Sequence, residues 1–490
     1  LLASALWGVV AIGWMIRSGG AAERLEERTR LVDELENLAE LRLWDSAWAV
    51  ARGADPEFWD DSTQADVVRS LSRVTPLRTD PPGATVYTNT YGADGAWDLV
   101  GTTPMDSARL PNGVTRLRLE LEGYTPLELG TFSWYPLVFT LRLVPAEADT
   151  ADMVWIPGGE HTIGSPGLEH VDPAPIGGFW IDRLEVTNRE FKRFVEAGGY
   201  ADPAHWTEPF LRDGRPVSFQ EAMALFTDRT GRTGPATWEA GDYPDGEDDY
   251  PVTGLSWYEA NAYATWAGKR LPTVYHWNRA AGTYLSSHVV PHSNFSGEGP
   301  SRAGEYDGIG PFGTLDMGGN AREWCWNEGS GGRFILGGGW NDAPYMFNDG
   351  YAQPAWDRSV INGLRLALYG EEDLRAAGMP IERPLRDFLS EEPVSDETYR
   401  VFLGMYAYDP TPLNAVVEAR DTTPDDWTRE LISYDAAYGD ERGLAHLFLP
   451  KNAKPPFQAV VFFPGSNAIW SDELERWSAE FLVKDGRAVI

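Results

Sequence analysis

The feature that most constrains the fold is a glycine-containing run that ends in a tryptophan, Gly313-Thr-Leu-Asp-Met-Gly-Gly-Asn-Ala-Arg-Glu-Trp324. Two shorter segments follow it, Gly337-Gly-Gly-Trp-Asn-Asp342 and Gly363-Leu-Arg365. Paired glycines let the backbone turn where a side chain would obstruct it. The chain also contains 21 Trp in 490 residues, and large rings suit a fold whose irregular segments are pinned by buried aromatic side chains. The pattern favours a loop-rich domain.

Together these segments resemble the signature motifs of the formylglycine-generating, sulfatase-modifying factor family. The resemblance implies a C-type-lectin-like α+β domain over residues 151–370, and the best-known member of that family oxidises a cysteine on client sulfatases. The resemblance extends upstream through four further motifs in the same order: Met153-Val-Trp-Ile-Pro-Gly-Gly159, Phe179-Trp-Ile-Asp-Arg-Leu-Glu-Val-Thr-Asn188, Pro251-Val-Thr-Gly-Leu-Ser-Trp257 and Lys269-Arg-Leu-Pro-Thr273.

The copper ligands of that oxidase have no counterpart in this sequence. The family enzyme binds copper through two cysteines, and Asp342 and Phe347 stand at the matching positions. Copper(I) prefers soft thiolates, and a single cysteine, Cys325, cannot supply two of them or form an intrachain disulfide. We expect Cys325 to be a buried, inert thiol, and we expect no copper and no complete active site. A formylglycine-generating oxidase that acts on a sulfatase-type client through a different metal arrangement is the alternative.

The same resemblance implies a calcium loop built from Asp316, Gly319, Ala321 and Glu323, with the glycine and alanine acting through backbone carbonyls. Calcium takes about six to eight oxygen ligands and tolerates irregular geometry. Turn-capping residues without a metal are the alternative. The second calcium loop of the family would start at Asn294 and Phe295, where the following stretch has Glu298 as its only acid, which argues against a second site.

His288 and His292 have the four-residue spacing of a metal-binding pair on a helix. Iron-dependent relatives of the fold use a His-x-x-x-His-x-Glu motif, but here Asn294 stands at the position of the glutamate. Pro291 is also expected to break the helix. The sequence therefore predicts no metal role for this pair.

Several helix starts can be located from the sequence. Thr187 with Glu190, and Ser256 with Glu259, have the spacing of a capping box, which predicts helices from about 188 to 196 and through Ala267. Leu271-Pro-Thr273 precedes a third short helix, and Val154-Trp-Ile156 predicts a strand.

An apolar run from Leu1 to Ile16 opens the chain. It is shorter than the roughly 20 residues that cross a bilayer, so we expect residues 1–20 to be a transmembrane helix that begins further upstream. A cleaved signal peptide is the rival interpretation. Residues 21–70 are predicted to form a helical stalk, either as a coiled-coil homodimer or as a packed helical hairpin. The stalk residues that recur at spacings of three and four are Leu31, Leu35, Leu38, Leu41, Trp44 and Trp48.

In residues 71–146 the apolar residues recur at every second position. Thr115–Leu121 alternates leucines with charged residues, and Phe139, Leu141 and Leu143 repeat the pattern, which predicts a small antiparallel β domain. Thr79-Asp-Pro-Pro-Gly-Ala-Thr-Val-Tyr87 resembles the PEGA domain, a small surface β-sandwich. The resemblance implies a spacer or a binding module.

The C-terminal part is predicted to begin with a polar linker that contains local helices, over residues 371–430. In residues 431–490, Leu444–Leu449 and Gln458–Phe463 are predicted strands, and the apolar character of the second is typical of a buried parallel strand. This part resembles the first half of an α/β-hydrolase domain. Ser466 lies in a loop that lacks the Gly-x-Ser-x-Gly pattern, so we expect it to be structural. Esterase-type hydrolysis would belong to the full-length protein.

The order of these parts resembles the C-terminal half of bacterial membrane serine/threonine kinases. The chain itself has no kinase phosphate loop, His-Arg-Asp or Asp-Phe-Gly motif, and its net charge of −33 disfavours nucleic acid as a partner. We therefore expect the extracytoplasmic, ligand- or protein-binding sensory region of a single-pass bacterial signalling protein. Whether the full protein is an enzyme is left open.

Overall fold

The computed structural model describes residues 21–40, 43–54, 61–92, 95, 97–133, 139–382, 387–408, 411–437, 439–463 and 476–490. The chain divides into two compact units, Leu1–Pro384 and Leu385–Ile490. Within the described ranges no helix has both the length and the apolar character needed to span a bilayer. The predicted membrane helix over residues 1–20 lies outside the described residues, as does Ser466.

The predicted stalk is helical. Leu35 and Ala47 are buried together with Leu71, so the first two helices pack on each other within one chain. This packing is the helical-hairpin alternative, and the homodimer stays a prediction. Further stalk residues of the predicted apolar face, Leu31, Leu38, Trp44 and Trp48, pack against this cluster. The three helices are α1 Ala21–Glu40, α2 Trp44–Gly53 and α3 Asp61–Ser70.

The predicted β domain follows. Its strands are β1 Ser72–Leu77, β2 Thr79–Asp80, β3 Thr85–Thr90, β4 Asp98–Thr102, β5 Met105–Pro111, β6 Val114–Glu120, β7 Leu127–Phe132 and β8 Leu141–Arg142. An antiparallel sheet has the order β4-β3-β6-β7. Leu117 and Leu119 on β6 are buried, which confirms the predicted alternation. The strand predicted around Leu141 is reduced to two residues, because it pairs only with the two-residue strand β2.

The central domain contains short strands joined by long irregular segments. A three-stranded sheet has the order β19-β12-β9, and a four-stranded sheet has the order β17-β16-β15-β18. The strands are β9 Met153–Ile156, β10 Gly159–His161, β11 Ala174–Ile176, β12 Phe179–Asp182, β13 Leu211–Arg212, β14 Arg215–Pro216, β15 Arg322–Gly329, β16 Gly332–Leu336, β17 Ala352–Gln353, β18 Asn362–Gly363 and β19 Ala367–Leu368.

The helices of this domain begin where the capping residues predicted. Thr187 Oγ1 accepts from Glu190 N at 3.4 Å while Glu190 Oε2 accepts from Thr187 N at 2.8 Å, and Ser256 and Glu259 form the same reciprocal pair. Each capping box satisfies backbone donors that the first helical turn leaves unpaired. The helices are α4 Asn188–Glu196, α5 Phe219–Met223, α6 Trp257–Trp266, α7 Val274–Ala281, α8 Ser286–Val289 and α9 Glu371–Ala377.

Buried tryptophans hold the irregular segments, as the composition predicted. In four of them the indole N–H has a specific acceptor, so the ring supplies both apolar burial and a hydrogen bond to a loop or a neighbouring helix. The indole nitrogens of Trp257, Trp324, Trp206 and Trp238 donate to Cys325 O, Leu255 O, Gly199 O and Asn188 Oδ1 respectively.

The β domain packs directly on the central domain. Tyr91 Oη donates to Ile309 O at 2.7 Å, and Gly130 N donates to Gly310 O at 3.0 Å. A Cβ at Gly130 would lie 3.1 Å from Ile309 O, so a glycine permits this close approach.

The part of the chain after residue 370 corrects one expectation and part of another. The local helices expected in the predicted linker over 371–430 are present as Glu371–Ala377 and Asp396–Gly404, but the linker also contains the strand β20, Val416–Asp421. Strand β20 pairs with the following strand in a five-stranded sheet of order β20-β21-β22-β24-β23. Within Gln458–Phe463 the strand β23 pairs in parallel with β24, as predicted. The expected burial is only partial, because β23 lies at the edge of the described sheet: Val460 and Phe462 pack against the core, whereas Val461 and Phe463 are 63% and 88% exposed. The elements are α10 Asp396–Gly404, α11 Arg476–Lys484, β20 Val416–Asp421, β21 Trp427–Asp435, β22 Arg442–Pro450, β23 Ala459–Val460 and β24 Ala488–Val489.

Candidate functional site

Asp342 and Phe347, the residues expected at the positions of the two copper ligands, make other contacts in the structure. Arg322, at the start of β15, donates from Nε to Asp342 Oδ2 and from Nη2 to Asp342 Oδ1, both at 2.7 Å. Gly339 N donates to Asp342 Oδ2 at 2.8 Å. This two-pronged pairing neutralises the carboxylate and fixes its orientation. Asp342 therefore ties its loop to the four-stranded sheet.

Phe347 is part of the hydrophobic core. Its side chain is 1% exposed, and its ring meets the Trp277 ring edge-on with 6.2 Å between centroids. A Cβ at Gly318 would lie 3.0 Å from Phe347, so the glycine-rich run is packed against this ring. A phenyl ring carries no lone pair that could bind a metal ion.

Cys325 is buried, as predicted. Burial, and then the charge of Glu323, raise the pKa of its thiol well above the ordinary value. A thiol held in its protonated form is a poor nucleophile and a poor metal ligand.

The predicted calcium loop lies beside a buried ion pair. Arg365 and Glu323 are both fully buried, and Arg365 Nε donates to Glu323 Oε1 at 2.8 Å. Trp277 Nε1 donates to Glu323 Oε2 at 2.7 Å. Arg365 Nη2 also donates to Leu315 O at 2.7 Å, so the guanidinium joins β15 to the loop that precedes Asp316. Both oxygens of Glu323 therefore already have a donor.

Asp316, beside this ion pair, uses only one of its two carboxylate oxygens in hydrogen bonds to the described residues. Its Oδ2 accepts from Gly304 N at 2.6 Å, whereas its buried Oδ1 has no hydrogen-bond partner among the described residues. Burial is the main reason that the pKa of Asp316 rises from 3.8 to about 6, and the charge of Glu323 also raises it. The loop then turns at Gly319, where a Cβ would lie 2.4 Å from Asn294 O.

A third carboxylate, Glu185, completes the cluster. Its Oε1 accepts from Ala321 N at 2.8 Å, and its Oε2 accepts from Asn320 Nδ2 at 2.6 Å. Burial, followed by the charges of Asp316 and Glu323, raises the pKa of Glu185 well above its ordinary value. The sequence analysis did not single out Glu185 and Arg365. A signal was available, because each is a charged residue between apolar neighbours inside one of the motifs.

The cluster meets some of the requirements of a calcium ion. Three carboxylates face one guanidinium, so an added cation would relieve the excess negative charge. Across the described ranges, however, no three His, Cys, Asp or Glu side chains converge closely enough to hold a metal. Any calcium shell would therefore depend on backbone carbonyls of Gly319 and Ala321. Asn294, where the second calcium loop of the family would start, donates from Nδ2 to Gly299 O and to neighbouring side chains.

The histidine pair lies at the joint between the two domains. Helix α8 ends at Val289, and a tighter helical turn runs from Val290 to His292, which confirms the break predicted at Pro291. Both rings contact Tyr91 of the β domain, with centroid distances of 6.0 Å for His288 and 5.6 Å for His292.

Comparison with known proteins places these features in a family. The Sulfatase-modifying factor enzyme 1-like domain matches residues 142–368, and the PEGA domain matches residues 75–130. The chain is 33% identical over 214 residues to the formylglycine-generating enzyme of Thermomonospora curvata, covering 35% of this chain and 70% of that protein.

A second formylglycine-generating enzyme and a protein kinase are also similar to this chain. The bovine (Bos taurus) formylglycine-generating enzyme is 32% identical over 212 residues, which cover 35% of this chain and 56% of that enzyme. The serine/threonine-protein kinase Pkn1 of Chlamydia trachomatis is 32% identical over 188 residues, which cover 36% of this chain and 27% of the kinase. The chain thus spans little more than half of the bovine enzyme and about a quarter of the kinase.

Proposed function

Because the chain belongs to the sulfatase-modifying factor enzyme 1-like family but carries Asp342 and Phe347 where the oxidase has copper-binding cysteines, we propose that it is a binding or sensory region and not an oxidase. The observation that carries this proposal is the pairing of Asp342 with Arg322. A carboxylate already neutralised by a guanidinium and a backbone N–H is a hard, occupied group, and copper(I) favours soft, free thiolates.

The remaining candidate ligands support the same conclusion. Phe347 offers no donor atom, and Cys325 lies fully buried with a raised thiol pKa. A second thiolate cannot come from this chain, because Cys325 is its one cysteine. The family scaffold is therefore kept while the redox centre is replaced by a structural ion pair and a core aromatic ring.

We further propose that this region serves a membrane-anchored bacterial signalling protein, with a serine/threonine kinase elsewhere in the full protein. The support is the shared domain in the Pkn1 kinases and the PEGA domain that precedes it here. In this proposal the apolar run from Leu1 to Ile16 anchors the protein, and the region after it is extracytoplasmic. An esterase-type hydrolase in the full-length protein would be an additional activity, based on the likeness of residues 431–490.

The proposal also includes a calcium ion in the Asp316 loop. Asp316 Oδ1 and the carbonyls of Gly319 and Ala321 would hold it, with Glu323 contributing a lone pair beside Arg365. The ion would supply positive charge to an acidic, buried cluster. If it binds only the folded state, a hundredfold excess over Kd stabilises that state by about 2.7 kcal/mol. Addition of a chelator should then lower the melting temperature, and calcium should restore it better than magnesium.

The oxidase question is tested by incubating the purified chain with copper(I) and a sulfatase-type cysteine peptide, and following formylglycine by mass spectrometry. We expect none. Appearance of formylglycine would overturn the proposal and favour the alternative oxidase with another metal arrangement. The matched control combines Asp342→Cys with Phe347→Cys. This double variant restores both thiolates, so it should bind copper more tightly than the unaltered chain does.

A further inference from the structure

The helix α10 of the second unit has a well-defined start but no buried residue. Ser395 Oγ accepts from Thr398 N at 3.2 Å, which caps the first turn. All nine residues of the helix are exposed, and so are residues 405–408 after it. Isolated helices shorter than about 12–15 residues are marginal in water, and helices in proteins are stabilised mainly by packing of one face. The described part of the second unit does not supply that packing.

One face of α10 is apolar and aromatic. The α10 stripe consists of Tyr399, Phe402, Leu403 and Tyr406, whose spacing places them on one side of a helix. A tighter last turn, in which Tyr406 N donates to Leu403 O at 3.1 Å, carries the stripe past Gly404. The four residues are 57%, 56%, 52% and 81% exposed, respectively. Apolar residues at this spacing are typical of a helix that packs on a complementary apolar surface.

The exposed area around the α10 stripe is of the size of a protein interface. The large apolar and aromatic residues that are more than half exposed in this region are Tyr399, Val401, Phe402, Leu403, Met405, Tyr406 and Tyr408. An aromatic side chain buries about 150–250 Å² when it is wholly covered, so the four rings alone leave about 500 Å² to be covered. The three aliphatic residues bring the patch towards the roughly 800 Å² that each partner contributes to a stable interface.

The order of residues along the α10 stripe makes the stripe complementary to itself. It has a tyrosine at each end and an apolar pair, Phe402 and Leu403, in the middle. Two copies of the helix that cross antiparallel, about a two-fold axis between these two residues, place Tyr399 against the partner's Tyr406. The same crossing places Phe402 against the partner's Leu403. Such a contact covers the same patch on both chains and needs no second kind of surface.

The charges of α10 favour this arrangement over a membrane surface. Helices that lie on membranes carry Lys and Arg on the polar face, whereas the first turn of α10 has Asp396 and Glu397. Arg400 is the single basic residue of the helix, and its guanidinium lies 4.0 Å from Asp396. In the antiparallel crossing the two acidic first turns lie at opposite ends of the contact, so they do not repel each other at close range.

We propose that α10 forms a two-fold contact between two copies of this chain, with the helices antiparallel and each α10 stripe packed on the other. The partner helix supplies the packing that a helix of this length needs, and it covers the exposed rings. This contact is separate from the coiled-coil alternative for the stalk, because it lies in the second unit. It adds an oligomeric state to the proposed binding role and does not depend on that role.

The test is sedimentation equilibrium of the purified full chain, which should be dimeric. Phe402→Glu places a charge at the centre of the contact on both chains, so it should raise the dissociation constant of the dimer about tenfold or more. Because Phe402 is exposed in the single chain, this variant should keep the urea-unfolding curve of the unaltered monomer. The matched control is Tyr345→Glu, at a ring of the central domain that is 69% exposed, which should leave the dissociation constant unchanged.

A cysteine variant shows which surface makes the dimer. Cys325 is buried, so Leu403→Cys adds the accessible thiol of the chain, next to the two-fold axis. Oxidised glutathione should link it into a covalent dimer, and Tyr345→Cys should stay unlinked. A monomeric chain, a dimer that Phe402→Glu leaves equally tight, or a Leu403→Cys variant that links no better than the control would overturn the inference. None of these results bears on the proposal of a non-oxidase, which formylglycine formation tests.

Discussion

Replacing His276 by glutamine should remove part of the pH dependence of the stability of the central domain. The His276 ring is fully buried in the core, stacked on Tyr369 with 4.1 Å between centroids and edge-on to Phe179 at 4.5 Å. Its Nδ1 lies 2.7 Å from Thr273 Oγ1. Burial, and then the charge of His161, lower the pKa of His276 from 6.5 to about 3.

The sign and size of the expected change in unfolding free energy follow from the protons that the folded and unfolded chains bind. Between pH 6.5 and pH 3 the unfolded chain protonates this imidazole and the folded chain does not, so the contribution to stability is complete above pH 6.5 and falls with pH. Each pH unit below 6.5 lowers the free energy of unfolding by about 1.4 kcal/mol. Lowering the pH from about 7.5 to about 5.5 should therefore cost about 1.4 kcal/mol through His276 alone.

The assay is urea unfolding followed by tryptophan fluorescence at those two pH values, for the unaltered chain and for His276→Gln. The lost stacking on Tyr369 lowers the stability of the variant at both values, so it cancels when the two pH-induced changes are compared. The remaining difference should be about 1.4 kcal/mol. His170→Gln, at an exposed ring, is the control and should behave like the unaltered chain. If His276→Gln loses as much stability between the two pH values as the unaltered chain does, the inference that His276 is buried in its neutral form is refuted.

Three other perturbations test the central domain. Arg365→Met should destabilise it by about 3–5 kcal/mol, because Glu323 would be left as an unpaired buried charge; an unfolding free energy lowered by less than about 1 kcal/mol would contradict that pairing. Ser256→Ala should cost about 1 kcal/mol through loss of the cap of α6, measured by the same urea unfolding. Asp316→Asn keeps an acceptor for Gly304 N but removes the charge, so calcium should no longer raise the melting temperature; an undiminished calcium response would place the ion elsewhere.

Local features of this protein could be predicted from neighbouring residues. The capping boxes at Thr187 and Ser256 join residues only three positions apart, so their hydrogen bonds depend on little beyond the local sequence. The alternation along β6 and the helix break at Pro291 are local in the same sense. The presence of Asp342 and Phe347, and not of two cysteines, is also a property of the sequence, since no fold can turn a carboxylate or a phenyl ring into a thiolate.

The tertiary structure decided the partners of the charged residues. Glu323 meets Arg365 across 42 positions of sequence, and Glu185 reaches Ala321 across 136. Nothing in the local pattern specifies such pairs, because the long irregular segments between them are positioned by buried tryptophans and not by ladders of backbone hydrogen bonds.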